Sequence, residues 1–544
     1  MPKKYRILFL GILLALFPLI CFAVIGVYYT SQFKYYLKEI VDFGLCTFIL
    51  YALGFLIFKG SSRLYWFFVS TTFLYLLSIL KTGFYYLFQS KINISAFYIV
   101  FETTGNESAG FMATYLEPGL ILLLLFFVIF LFWHFKILIR LYKTENWIFI
   151  APAFKLKNIL VFLILIGGIV GSFYTINLKL RGNNIIHLAK DSYISYIEAQ
   201  DLFQTNLVKP TSEHFTNVKA SDSAQTYIVI IGESTSSRNM GLYGYYRNTN
   251  PLLSSLDNDE IVVFKDVISP HTHTIPSLNK ALSLANYENP DDLYKGSIVQ
   301  LANAAGFATY WISNQQPIGI HETLLTAMSK ATKEQIFTNA LTNKQLEYDE
   351  ALFPHIQNVL KKQEPKKVIF IHLTGTHISY KFTYPKSFER FTDTPKTKFP
   401  SARSKEQINH YDNSIVYNDY IVYTIIQEVK KTNSNSYVVY FSDHGDEVFQ
   451  DLDFVGHNEY HASKPMHEIP FILWASEKYQ NFNPRYETLK NYTHRKYMLD
   501  DFIHSFSDLS QIKFDEWQPQ RSIFNPDFVK RTRIIKKQID YDNR

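Results

Sequence analysis

At 544 residues the chain is too long for one ordinary hydrophobic core, so two or more domains are expected. A net charge of +6 is modest for that length, and no basic run forms a nucleic-acid footprint, which excludes nucleic acid as the main partner. The two cysteines, Cys21 and Cys46, both sit inside apolar segments, so the polar part of the chain has no disulfide framework.

A mean hydropathy of -0.04 averages over two unlike halves. Apolar segments run over 7–28, 41–58, 64–80, 120–138 and 159–176, each near the ~20 residues that a helix needs to cross a bilayer. The first follows Lys3, Lys4 and Arg6 and lacks a small-residue cleavage signature, which predicts an uncleaved signal anchor. Ten basic residues fall in the N-terminus, the 59–63 loop and the 136–157 loop. The opposite loops hold Lys34, Lys38, Lys81 and Lys91, with Lys179 and Arg181 after the fifth span. Positive charge stays inside, so the N-terminus is predicted cytoplasmic and residues 177–544 outside, which means the periplasm, with the spans in the inner membrane, if the host is a Gram-negative bacterium.

Between the third and fourth spans, residues 93–117 contain FETTGNESAGF, too polar to span and suited to the outer membrane face. The first domain is therefore set at 1–180. After it, Ile186, Ala189, Tyr193 and Ile197 share a helical stripe. A bridging helix on the membrane surface and an amphipathic helix packing on its own domain both fit this stripe. Residues 209–225 read as a linker, completing a 181–225 connection to a second domain at 226–544.

In that second domain, strand-like runs at 226–231, 261–267, 308–312, 367–373, 437–441 and 470–475 alternate with helical patterns such as 278–284 and 413–431. This alternation predicts an α/β domain with a mostly parallel central sheet covered by helices. Fifteen of the sixteen histidines lie after residue 180, where polar chemistry is expected. In such sheets ligands gather past the carboxyl ends of strands. The first strand runs into Glu233 and the fifth into Asp443-His444. Together they make three protein ligands, the usual count for a catalytic zinc with one position left open. His377 follows the fourth strand in HLTGTH, and His457 lies in a GHNE run. The second strand leads into PHTHT, where Thr274 precedes a predicted helix. A hydroxyl at a helix N-terminus beside a metal can become an attacking alkoxide; a plain helix cap is the alternative there.

The runs GES…LYGYYRNTNP, the Thr274 segment, GTH, YDNS and SDHGDE, in this order, resemble the membrane phosphoethanolamine transferases of Gram-negative envelopes, members of the alkaline-phosphatase/sulfatase superfamily. The resemblance spans nearly the whole chain, because that family also has five spans and a periplasmic α/β domain. It implies Glu233, Asp443 and His444 as zinc ligands, and Thr274 as both ligand and nucleophile. His377 and His457 would touch the phosphoethanolamine group or a second zinc. Glu107 matches a family acid that reaches the donor head group. The lipid A-modifying branch carries Cys-Gly-Thr-Ser-Thr where this chain has Pro270-His-Thr-His-Thr274, which makes Thr272 a rival nucleophile. A lysine near the donor pocket of that branch has no counterpart, so Asn314 and Gln315 are expected to substitute. The implied reaction moves phosphoethanolamine from phosphatidylethanolamine to a lipopolysaccharide acceptor, either a lipid A phosphate or a core heptose. The enzyme would be a membrane-bound monomer with one tightly held zinc and room for a second. A phosphoglycerol transferase of the same superfamily and a non-enzymatic envelope protein are the alternatives. A sulfatase fits less well, since the Cys/Ser-x-Pro-x-Arg motif is absent.

Overall fold

The computed structural model describes residues 3–30, 33–88, 91–92, 96–97, 116, 118–144, 156–202, 206–256, 259–315, 324–339, 347–377, 379–536 and 538–544. Among them two compact units are distinguished, one reaching to Ser195 and the other running from Tyr196.

The first unit contains α1 (Lys3–Tyr29), α2 (Phe33–Ile57), α3 (Gly60–Phe88), α4 (Pro118–Thr144) and α5 (Leu156–Lys179). All five are long and apolar enough to cross a membrane. Half of the α3 apolar window is buried against 11% for α4 and α5, so α3 is the central helix and the other two offer apolar faces outward. Leu122, Ile129 and Phe132 on α4 and Leu160, Leu163 and Ile164 on α5 form those faces. A bilayer accepts such surfaces, whereas it leaves backbone polar groups to be satisfied within the helix. This explains why the helices overrun the apolar segments of the sequence. Helix α3 takes in Arg63 and Lys81, both expected in loops, and α2 takes in Lys34 and Lys38. Buried Arg63 donates from Nε to the Phe58 carbonyl (2.7 Å) and from Nη2 to the Phe55 carbonyl (2.9 Å), satisfying the open end of α2. Lys81 points inward to Glu39 at 2.6 Å. The two cysteines are free.

Helix α6 (Ile185–Leu202) follows, with Ile186 and Tyr193 on its exposed side. In the second unit the expected linker is packed rather than loose. Leu207 and Phe215 belong to the core of the domain, and the backbones of Lys219 and Lys513 pair in both directions at 2.8 Å.

Seven strands make the main sheet of that unit: β1 (Gln225–Gly232), β2 (Ile261–Phe264), β3 (Ala308–Ser313), β4 (Glu334–Phe337), β5 (Lys366–His372), β6 (Ser436–Ser442) and β7 (Phe471–Ala475). Their spatial order is β2-β7-β6-β1-β5-β3-β4. Only β7 runs against its neighbours. Strand β1 is buried throughout, and its side chains alternate between two cores: Tyr227, Val229 and Ile231 on one face, Ile228 and Ile230 on the other. That is why its sequence is continuously apolar instead of alternating. The edge strand β4 is short and half exposed, and no apolar run marks it in the sequence. The run expected as one strand over 261–267 breaks at Lys265-Asp266. Val267–Ile268 pairs instead with Tyr497–Met498, which turns the chain toward the next helix. That helix, α7, spans Thr274–Ala281. Helix α8 (Ala402–Lys431) begins well before the expected residue 413, where Ser401 and Ser404 form a capping box.

Candidate active site

Strands β6, β1 and β5 lie side by side at the centre of the sheet, and their carboxyl ends deliver the acid and imidazole groups to one place. Glu233 follows β1, Asp443 and His444 follow β6, and the loop to His377 follows β5. Glu233 Oε1 lies 3.3 Å from His444 Nε2, and Asp443 Oδ2 lies 3.5 Å from the same nitrogen. All three side chains are buried. Thr274, the first residue of α7, donates its hydroxyl to Glu233 Oε2 at 2.9 Å. Four side chains spread over two hundred residues of sequence therefore meet.

The backbone is shaped to hold them. Ser234 takes a left-handed φ of +59, an uncommon conformation for a residue other than glycine and one that concentrates at functional sites. Its N–H donates to Asp443 Oδ1 (3.1 Å), as does the N–H of His444 (2.7 Å). Gly375, at φ +55, lets the β5 loop pass Glu233. A Cβ there would stand 2.8 Å from the Glu233 nitrogen. Ser269 and Ser277, at either side of the Thr274 turn, both donate to the Asp443 carbonyl and tie α7 to the end of β6.

Electrostatics show what this cluster wants. Burial alone would raise Glu233, but the adjacent imidazole of His444 and the charge of His377 outweigh it and hold Glu233 well below the usual carboxylate range. Burial and the nearby Glu233 charge push Asp443 up. Burial disfavours a charged His444, yet the Asp443 and Glu233 carboxylates raise it to about 10. Positive charge is thus strongly favoured at the centre. Asp443 Oδ2 and His444 Nε2 are buried and have no partner in hydrogen-bond geometry. The Nδ1 of the same ring faces the Gly445 carbonyl at 3.1 Å, which leaves Nε2 as the nitrogen turned toward the carboxylates. Glu233, Asp443 and His444 each offer one ligand atom within 4.8 Å of the others. Two carboxylates, one imidazole and a hydroxyl fit a zinc-type ion.

A second group lies beside the first. His457 Nδ1 pairs with Asp446 Oδ1 at 2.8 Å, and Asp446 Oδ2 accepts from the Tyr380 hydroxyl at 2.5 Å. The His457 ring stands 4.3 Å from that of His444 and 5.0 Å from that of His273. Burial, helped by the charge of His444, lowers His457 to about 4, so its ring is neutral at ordinary pH.

Residues 225–512 match the family profile described as Sulfatase. Over 494 residues the chain is 32% identical to phosphoethanolamine transferase EptC of Escherichia coli (strain K12), covering 86% of this chain and 84% of that protein. The chain belongs to the phosphoethanolamine transferase family. Among solved structures of this family, the C-terminal periplasmic domain of EptC from Escherichia coli is 38% identical, with a TM-score of 0.57, over 60% of this chain and 96% of that one; a second structure of that domain is a complex with Zn. The integral membrane lipooligosaccharide phosphoethanolamine transferase A from Neisseria meningitidis shares the fold over 94% of this chain and 97% of its own, at 19% identity and a TM-score of 0.66.

Two of the runs that carry the family resemblance turn out to brace the site from behind. In YDNS, the Tyr411 hydroxyl donates to the Ser234 carbonyl (2.7 Å) and accepts the Ser236 N–H (2.8 Å). Asp412 forms a buried ion pair at 2.8 Å with Arg247 of LYGYYRNTNP. Burial pushes that carboxyl up to about 6 although Arg247 and Asn239 hydrogen-bond to it. Asn314 is also a brace. Its side-chain nitrogen donates to Asp349 Oδ1 (2.8 Å), and Asp349 accepts the N–H groups of Thr374 and Gly375. Gln315 donates to the Leu373 carbonyl at 3.0 Å. Both side chains thus help to hold the loop that carries His377. Glu107 lies outside the described residues. Thr272 is buried and hydrogen-bonded to Glu459, away from the Glu233 carboxylate that receives Thr274.

Three participants escaped the sequence reading. Asp446 and Glu459 are acids two positions beyond His444 and His457, so their signal was an alternation of ligand-type residues along each loop. His273 had only its place next to Thr274 to recommend it.

Proposed function

We propose that this phosphoethanolamine transferase takes phosphoethanolamine from phosphatidylethanolamine onto Thr274 and passes it to a lipopolysaccharide acceptor, a lipid A phosphate or a core sugar hydroxyl. What carries this reading is the Thr274 hydroxyl, hydrogen-bonded to Glu233 beside two unpartnered buried ligand atoms, on a chain similar to EptC along most of both lengths. Glu233, Thr274, Asp443 and His444 would hold zinc, in line with the Zn complex of the EptC domain. Bound there, zinc would supply a Lewis acid that lowers the alcohol's pKa and neutralises phosphoryl oxygens.

The chain's own groups do the rest. Glu233, kept ionised, accepts the Thr274 hydrogen bond and so orients that hydroxyl, whose proton passes to solvent as the oxygen attacks phosphorus. The bond from phosphorus to the diacylglycerol oxygen breaks, and His377 is the donor assigned to that leaving oxygen. Neutral His457, with Nδ1 engaged by Asp446, keeps Nε2 free to accept the proton of the incoming acceptor hydroxyl. Attack by the acceptor then breaks the Thr274 O–P bond, and Thr274 regains its proton. The helix N-terminus at Thr274 adds positive potential where phosphoryl charge gathers. Both substrates are lipids, which gives the five-helix unit its use: the catalytic domain belongs at the periplasmic surface of the inner membrane, with the N-terminus cytoplasmic.

Mass spectrometry of lipopolysaccharide from cells with and without the protein tests this directly. The expected result is a phosphoethanolamine increment that disappears with Thr274→Ala. Transfer of phosphoglycerol from labelled phosphatidylglycerol, with none from labelled phosphatidylethanolamine, would overturn the donor assignment.

A further inference from the structure

The turn that presents Thr274 contains a second threonine two positions earlier. In extended backbone, residues two apart face the same way, and His273 between them is extended (φ -138, ψ 147). Local conformation alone therefore does not choose between Thr272 and Thr274.

One carboxylate makes the choice. Glu459 Oε2 accepts both the N–H (3.0 Å) and the hydroxyl (3.1 Å) of Thr272. Its Oε1 pairs with His271 Nδ1 at 3.0 Å, and His273 Nδ1 lies 3.7 Å from Oε2. Three consecutive residues before Thr274 thus converge on one largely buried side chain. Burial alone would raise Glu459, but the neighbouring imidazoles of His271 and His273 hold it well below the usual carboxylate range. Charge-assisted bonds of this kind are the strong ones. Glu459 also sits two residues past His457, so it joins the loop carrying that histidine to the loop carrying the nucleophile.

We propose that Glu459 is a positioning residue: it sequesters the Thr272 hydroxyl and fixes the register of the 271–274 turn, so that Thr274 alone reaches Glu233. This rests on the reading of Thr274 as nucleophile.

The test uses the full-length, metal-loaded enzyme with phosphatidylethanolamine in detergent micelles. Three quantities are read for the wild type, Glu459→Ala and Glu459→Gln: kcat and KM for the lipid, zinc content, and the position of the phosphoethanolamine adduct by peptide mass mapping. For Glu459→Ala, kcat is expected to fall about 10- to 100-fold with KM within twofold and zinc retained, and part of the adduct should move to Thr272. Glu459→Gln, whose amide oxygen can still accept from Thr272, should recover much of kcat and return the adduct to Thr274. A Glu459→Ala enzyme with wild-type kcat, or one whose defect lies only in KM, overturns the proposal. So does a loss of kcat that tracks loss of zinc while the adduct stays wholly on Thr274, because that is general damage to the fold. A wild-type enzyme with no adduct on Thr274 removes the parent reading and this inference with it.

Discussion

The molecule buries clustered ionisable groups in both of its units, and the two clusters are finished differently. In the five-helix unit, Lys81 Nζ donates to Glu39 Oε2 (2.6 Å) and to the Asn183 carbonyl (3.1 Å) and lies 3.7 Å from Asp42 Oδ2. Asn183 and Asn184 supply the remaining carboxylate oxygens, Glu39 Oε1 at 2.8 Å and Asp42 Oδ1 at 2.9 Å. Three of the four carboxylate oxygens there accept a hydrogen bond, and the fourth lies within ion-pair reach of the Lys81 ammonium. In the catalytic unit, Glu233, Asp443 and His444 are as deeply buried, yet Asp443 Oδ2 and His444 Nε2 have no hydrogen-bond partner and meet only within their own cluster, at 3.3 to 3.5 Å. A closed cluster ties α2, α3 and the turn after α5 into one register and has no valence left for anything else. An open one stores the cost of unmet polar groups until an ion and a substrate meet them. Depth of burial does not tell a structural cluster from a reactive one; completeness of pairing does.

The largest effect should come from breaking the open cluster. Asp443→Asn and Glu233→Gln remove negative charge from a site built around it, and transfer should fall by roughly 10³-fold or more with zinc content reduced in parallel. In the zinc-free protein the thermal midpoint should hold or rise for Asp443→Asn, whose carboxyl is pushed up by burial and the Glu233 charge, and fall for Glu233→Gln, whose carboxylate is kept ionised against burial by His444. A variant that keeps full zinc and near wild-type turnover would place the chemistry elsewhere. Breaking the closed cluster should do the reverse. Lys81→Met strands Glu39 and Asp42 and should cost about 3–5 kcal/mol of stability. Unfolding followed in detergent would show it, with zinc affinity of the catalytic unit unchanged. The triple replacement Glu39→Gln, Asp42→Asn, Lys81→Met should recover most of the loss, since no charge then stays unpaired. Equal stability of the single variant and the wild type would mean that Lys81 is not the keystone of that unit.

The same contrast explains how much of the molecule was legible in the sequence. The spans and β1, β3, β5, β6 and β7 were readable because each is an apolar run with a sharp end; burial on both faces makes such runs in the strands, and apolar faces turned outward make them in spans such as α4 and α5. Glu233, Asp443 and His444 could be read because they stand at those ends, where an open cluster must gather its ligands from neighbouring strands. Closed features left no such mark. Lys81 reads as a loop lysine until Glu39, forty-two positions away, is seen against it. Nothing in the run Asn314-Gln315 shows that their amide nitrogens reach Asp349 and the Leu373 carbonyl. The residues 209–225 look like a linker because their few apolar side chains are spaced without period, although Phe215 is buried. Pairing partners distant in sequence are invisible to periodicity, so what sequence reading misses is mainly completeness.

If an interior keeps a charge only where an opposite one is in reach, a buried titratable group lacking one must be neutral, and His504 is the check. Burial first, then the like charges of Arg521 and Arg531, lower it to about 3. Its Nδ1 accepts the Gln518 N–H at 3.3 Å, a role that needs the neutral ring. With an unfolded value near 6.5, the unfolded chain binds this proton between about pH 3 and 6.5 while the folded chain refuses it. The contribution is therefore fully present above pH 6.5 and is lost as pH falls toward 3. At pH 5 the wild type should have lost about 2 kcal/mol from this residue relative to pH 8, and His504→Gln none. Unfolding of both proteins at the two pH values isolates the difference, because every other titrating group is common to them. Parallel pH slopes would show that His504 takes up its proton in the fold, against the rule that separates the two clusters.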